Sequence, residues 1–246
     1  MVTFNRNILG LGITRQLDQQ SNRLSKVFEQ LATGKRITTF DVDAAGGGIA
    51  TRLEAAFRGL SAQISNDQTQ INRLQTEEAG LGGIAEELQR IRELQVQAQN
   101  AALGPEEVDA LQMEVNQRVQ NIQGMVENTQ FAGNALIEPG SQLAAMLENG
   151  VDVTGDPADT DVVLEEVTAE RSEIGAEVNA LESRVAERQS AFENTVASYS
   201  QLADLDLATG VTEQINGQVL QLMSVKSLRN LFVFNRQNAL RLLDAV

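Results

Sequence analysis

Asp41-Val42-Asp43-Ala44-Ala45-Gly46 opens like a calcium loop, with alternating acids whose oxygens could wrap a hard cation. The pattern fails further on: the fifth position is Ala45, and the twelfth is Arg52 in place of a bidentate Glu. Ala32-Thr33-Gly34-Lys35-Arg36 has the Gly-Lys of a phosphate loop but neither its first glycine nor its Ser/Thr. Gly46-Gly47-Gly48 could offer a nest of amides to an anion, yet reads better as a tight turn or helix start approached by another backbone. Asp156, Asp159 and Asp161 read as a solvated loop rather than a cation site. Glu86-Glu87 and Glu165-Glu166 are adjacent pairs, so on a helix their carboxylates diverge and cannot share a proton.

The 246 residues contain no cysteine and no histidine. Disulfides, thiolate nucleophiles, Ser-His triads, Cys/His zinc sites and Glu-x-x-His di-iron motifs are therefore absent. We expect no enzyme, no cofactor and no metal site. The formal charge is −15, unevenly spread. Residues 1–36 carry six bases against two acids, and 207–246 carry four against two, so the stretch between them holds the acidic excess. The terminal bases lie singly among apolar residues, as on amphipathic helices, and we expect no nucleic-acid partner. No apolar run approaches a bilayer's thickness, and the start lacks the core and cleavage site of a signal peptide. We expect no membrane segment, and a cytoplasmic chain unless it leaves by a route that reads no cleavable signal.

What must position these residues is helical. Leu17, Leu24 and Leu31 are spaced by seven, with Val27 and Phe28 beside them. Leu53, Leu60, Leu74, Leu81 and Leu88 hold a second seven-residue register in which only position 67, an Asp, breaks the row; Phe57, Ile64 and Ile71 form its companion row. Ile174 and Leu181, with Val178, Val185, Phe192 and Tyr199, make a third. Strict sevens mark helices under-wound against a partner. Gly46 to Asn100 would form one helix roughly 75–80 Å long. Gly34-Lys35-Arg36 reads as a helix end, and Gly104-Pro105-Glu106-Glu107 as a turn into a helix carrying Val108, Leu111, Val115, Val119, Ile122 and Val126. Asn149-Gly150, flanked by Leu147, Val151 and Val153, predicts a β-hairpin turn, with helix resuming near Leu164. Only eight Phe and one Tyr, without Trp, suit thin helix-on-helix seams. The expected fold class is mainly α: a coiled-coil rod with a small β-hairpin element near 131–164 and paired N- and C-terminal helices.

Both terminal segments show more apolar residues than one seam can bury. Leu9 and Ile13 lie beyond the first stripe; Val219, Leu231 and Phe234 lie beyond Val211, Ile215, Leu222, Val225, Leu228 and Phe232 in the second. Surplus apolar surface on two marginal helices calls for further copies of the same chain, and a head-to-tail contact that does not close makes a fibre.

Leu31-Ala32-Thr33-Gly34-Lys35-Arg36-Ile37, Asp43 through Ala50, Arg58-Gly59-Leu60, Leu88 through Asn100, Thr129 through Leu136, Arg171 through Ala176 and Ala203 through Ala208 are longer segments, and together they resemble bacterial flagellin. The resemblance spans about 1–136 and 165–246, in order. It implies a subunit of the flagellar filament, with residues 1–36 and 207–246 forming the two halves of a filament-core helical domain and 37–206 a rod domain. The family's large outer domains would fall between 137 and 164, too short a space for them, so the chain resembles a minimal flagellin. The resemblance also implies export through the flagellar type III apparatus without a cleaved signal peptide, an export chaperone at the C-terminal helix, junction and cap proteins as neighbours, and an extracellular location in the filament. Arg90, Leu94 and Glu114 match the positions at which an animal Toll-like receptor recognises some flagellins. Leu231-Phe232-Val233 departs from the family, replacing a small polar run.

From the stripes themselves, Leu17, Leu24, Phe28, Leu31, Ile215, Leu222, Leu228 and Phe232 are expected to carry polymerisation. Thin seams of this kind could slide between two packed registers, a route to a change of supercoil. The rival readings are a hook–filament junction protein, which shares both terminal regions, and a soluble coiled-coil scaffold that binds a partner helix.

Overall fold

In a computed structural model of the chain, residues 3–39 and 43–243 are described. Asp41 and Val42 of the calcium-like stretch lie outside them. Six helices and one hairpin follow in order: α1 (Thr3–Thr33), α2 (Ala44–Ala98), α3 (Pro105–Asn128), β1 (Gln130–Phe131), β2 (Asn134–Ala135), α4 (Ser141–Asn149), α5 (Pro157–Ala203) and α6 (Leu207–Leu243). The chain divides into two units, one of residues 1–58 with 193–246 and the other of 59–192.

The second unit holds the dense core. The seven-residue rows of α2 place Leu74, Leu81 and Leu88 inside, joined by Ile84, Ile91 and Leu94. Val115, Val119 and Ile122 arrive from α3, Leu143 and Met146 from α4, and Val163, Val167, Ile174 and Leu181 from α5. Helix α3 starts as its sequence dictates, with Gly104 at the N-cap, Pro105 in the first turn and Glu106 and Glu107 against the positive end of the dipole. Position 67, the break in the leucine row, is buried at 6% exposure and ion-paired with Arg188 of α5.

Two side-chain amides, Gln95 buried and Gln112 half-buried, fasten the segment between α4 and α5. Gln112 of α3 donates to the Val151 carbonyl at 2.7 Å and accepts from the Val153 N–H at 2.8 Å, as a neighbouring strand would. Gln95 of α2 donates to the Asp152 carbonyl at 3.2 Å and accepts from the Thr160 hydroxyl at 2.8 Å. Gln112→Leu keeps the volume but strands a carbonyl and an N–H, so unfolding in urea should show a loss of about 1–3 kcal/mol. An unchanged midpoint would mean that water replaces the amide at no cost.

The hairpin is displaced from its expected place. Asn149 ends α4, and Gly150 (φ +74°) caps it, its N–H on the Met146 carbonyl. Of the Asn-Gly pair only Gly150 takes positive φ, and it serves a helix C-terminus rather than a hairpin turn. The turn of the actual hairpin is Ala132-Gly133, both at positive φ, between pairs Gln130–Ala135 and Phe131–Asn134. Helix resumes at Pro157 rather than near Leu164. The three acids expected in a solvated loop do not form one: Asp156 precedes α5 and accepts the Ala158 N–H at 2.9 Å, while Asp159 stands in the first turn of α5 and Asp161 follows it in the helix, paired with Arg92 at 2.5 Å. Among the described residues, no three acids are grouped to hold a metal ion, and no helix is long and apolar enough to cross a membrane.

Carboxylates crowd one side of the α2–α5 seam. Burial, then the charges of Glu77, Glu166 and Glu173, raises the Glu170 pKa above the ordinary carboxylate value. Burial also raises that of Glu77, with Glu177 adding and Arg73 opposing. Folding thus favours their protonated forms, and native protein binds more protons than unfolded chain between the unfolded and folded values. The associated stability is complete below the ordinary Glu value and is lost as pH rises through the raised ones. Glu77→Gln with Glu170→Gln should therefore raise the melting temperature at pH 7, and the gain should shrink as pH approaches about 4.5. A gain independent of pH would refute this.

Candidate assembly interface

In the first unit, α1 and α6 pack side by side. The α1 seam follows the leucine row: Ile13, Leu17, Gln20, Leu24, Val27 and Leu31 are half-buried. Opposite them α6 places Gly210, Gln214, Gly217, Gln221, Ser224, Leu228 and Leu231, spaced alternately by four and three. Small residues let the helices approach closely. A Cβ on Gly217 would lie 3.0 Å from Leu24 Cδ1, and one on Gly210 would lie 3.0 Å from Leu31 Cδ2.

The apolar stripe of α6 consequently faces elsewhere. Val211, Ile215, Leu222, Val225 and Phe232 are exposed, Ile215 at 54%, Leu222 at 70% and Phe232 at 65%. Of the eight residues assigned to polymerisation, Leu17, Leu24, Leu31 and Leu228 are half-buried along the α1–α6 pair, while Phe28, Ile215, Leu222 and Phe232 are exposed. One set makes the pair and the other is left for something outside it. Sequence reasoning found Leu228 but missed the rest of the α6 seam, because glycine, glutamine and serine carry no hydrophobic signal; their 3-4 spacing was the available clue.

The two connectors are tied together where these helices begin and end. Gly34 (φ +67°) ends α1, and its carbonyl accepts the Leu205 N–H at 2.9 Å, while the Arg36 N–H donates to the Ala203 carbonyl at 2.7 Å. Lys35 lies 5.7 Å from the centre of the Tyr199 ring, which meets Phe57 edge-on at 5.5 Å. The Tyr199 hydroxyl, by hydrogen bond and then charge, raises the Lys35 pKa. Asp206 starts α6, accepting the Ala208 N–H at 2.9 Å and the Thr209 hydroxyl at 3.1 Å; these bonds lower its pKa. At α2, Asp43 accepts the Gly46 N–H at 2.8 Å, so the Gly-Gly-Gly run is a helix start.

The residues matched to receptor recognition lie in the second unit. Arg90 donates to Glu114 at 3.2 Å and to Glu93 at 3.0 Å, and Glu114 also receives Arg118 at 3.4 Å. Leu94 is 1% exposed and belongs to the core, so its side chain is not presented with the other two.

Residues 4–141 match the family model described as the bacterial flagellin N-terminal helical region. Phase 1 flagellin of Salmonella naestved is 34% identical over 139 residues, 56% of this chain and 28% of that protein. The flagellin of Salmonella dublin matches to the same extent. The chain thus aligns with little more than a quarter of these relatives' length. Bacillus cereus flagellin, a crystal structure, overlaps 50% of this chain and 88% of its own at 21% identity, with a TM-score of 0.46.

Proposed function

Because the matched segment covers more than half of its residues, this chain belongs to the bacterial flagellin family, and from that premise we propose that it is the structural subunit of a flagellar filament, polymerising through α1 and α6 to drive swimming. The observation that carries this reading is the exposed α6 stripe of Val211, Ile215, Leu222, Val225 and Phe232, left bare because α6 meets α1 through Gly210, Gln214, Gly217, Gln221 and Ser224, joined only near its end by Leu228 and Leu231. An apolar stripe of this length on a protein surface marks a contact with another molecule. Identical copies supply it most simply, and a non-closing head-to-tail contact propagates a fibre.

The partners follow from the same family. We place the chain outside the cell in the filament, delivered unfolded through the type III export apparatus without signal cleavage, with an export chaperone masking the C-terminal helix beforehand. Junction and cap proteins would meet the polymer's two ends. An animal Toll-like receptor would meet Arg90 and Glu114, with Leu94 acting beneath them as packing. The large outer domains of longer flagellins have little room here, since only α4 and short connectors lie between β2 and α5. No catalytic role is assigned. The junction-protein and scaffold readings are not favoured, because the matching family and the named relatives are flagellins.

Purified chain, raised in concentration and viewed by electron microscopy, should form filaments above a critical concentration. A monomer at every concentration would overturn the reading.

A further inference from the structure

Helices α2 and α5 run antiparallel through the second unit, which their cross-links make plain. As the α2 partner steps back from Gln95 through Glu78 to residue 67, the α5 partner advances from Thr160 through Arg171 to Arg188. The apolar rows of both helices repeat every seven residues, and such repeats are nearly blind to a slip of one heptad. Leu74 of α2 would meet Leu181 in one alignment and Ile174 in the other, an apolar contact either way. Two layers of the seam are not blind: the buried Gln95–Thr160 hydrogen bond near one end, which is neutral, and a charged layer further along. Asp67 is the buried charged side chain among the described residues, it stands where the α2 leucine row breaks, and Arg188 stands seven residues beyond Leu181 in the α5 row. The two interruptions meet each other.

We propose that the Asp67–Arg188 pair is a register lock, selecting one alignment of α2 and α5 and barring the seven-residue slip that the apolar rows alone would permit. A slip in one direction sets Asp67 against Leu181 and Arg188 against Leu60, leaving the buried carboxylate without its partner and the half-buried guanidinium against an aliphatic side chain. Breaking a buried pair in this way costs far more than the pair itself contributes to stability. A polar residue within an apolar seam fixing register is the best-attested use of such groups. Sliding between packed registers is thereby excluded at this seam, and any change of filament form must be accommodated elsewhere. The proposal stands on the second unit's own packing, whether or not the chain polymerises.

The absence of cysteine makes the test clean, since introduced thiols are the only ones present. Ile71→Cys with Val185→Cys reports the native register, and Ile71→Cys with Val178→Cys the register slipped by seven. Each pair is treated with a short bifunctional thiol reagent in the otherwise wild-type chain, in Asp67→Leu with Arg188→Leu, and in the exchanged Asp67→Arg with Arg188→Asp. The wild-type background should link only through the native reporter. The doubly apolar background should keep its helical content and melting temperature while linkage through the slipped reporter rises at least about tenfold. The exchanged pair should return linkage to the native reporter alone. Native-only linkage in the apolar background would overturn the proposal, because core packing and connections would then suffice. Slipped linkage persisting in the exchanged background would overturn it equally.

Discussion

Chains carrying Ile215→Asp and Leu222→Asp should remain folded and fail to form filaments at concentrations where the wild type polymerises fully. Both side chains are exposed on α6 and face away from its seam with α1, so the substitutions remove no contact within the subunit. Burying an exposed Ile or Leu contributes about 1.5–3 kcal/mol each. Losing both, before any penalty for burying carboxylates, weakens a subunit contact by roughly two to four orders of magnitude. Deleting residues 211–246 should have the same result by a coarser route, with circular dichroism still reporting helix from the remaining segments. The measurements are pelleting and electron microscopy, with the melting temperature as a control. Filaments of normal length from either variant would remove α6 from the interface.

The second large effect concerns stability. Leu81 is fully buried where α2 meets the rest of the second unit's core. Leu81→Ala should cost about 2–5 kcal/mol, combining lost transfer energy with the cavity left behind. A change of that size lowers the melting temperature by about 10 °C in a domain of this length. Leu17→Ala, at a half-buried position of the α1–α6 pair, should cost distinctly less, because its surroundings are partly wet and can relax. Equal costs at the two positions would mean that the seam between α1 and α6 is as tightly packed as the central core.

Much of this architecture was legible in advance because seven-residue spacing is a long-range signal. Leu74, Leu81 and Leu88, read as one row, are one buried row, and Pro105 and Gly34 mark the helix start and end that their chemistry demands. Asn149-Gly150 misled because a residue tolerant of positive φ serves a hairpin and a helix C-cap equally well. Choosing between them depends on how Leu143 and Met146 find the core, which is tertiary information. The meaning of the gap at position 67 was hidden for a related reason: its partner is 121 residues away, and nothing local announces it. Gln95 and Gln112 carry no pattern, since each is recruited by backbone groups of a distant loop. In α6 the competition was between burying the apolar stripe and bringing two helix axes close. Gly210 and Gly217 settle it for close approach, which turns the stripe outward.

That outward stripe is aliphatic and phenyl rather than ionic, and its chemistry sets a thermal character for whatever it joins. Burial of such groups is driven by solvent entropy near room temperature and weakens on cooling. Warmth would then lengthen a polymer built on Ile215, Leu222 and Phe232, chilling would shed its subunits, and added sulfate would promote growth instead of screening it away.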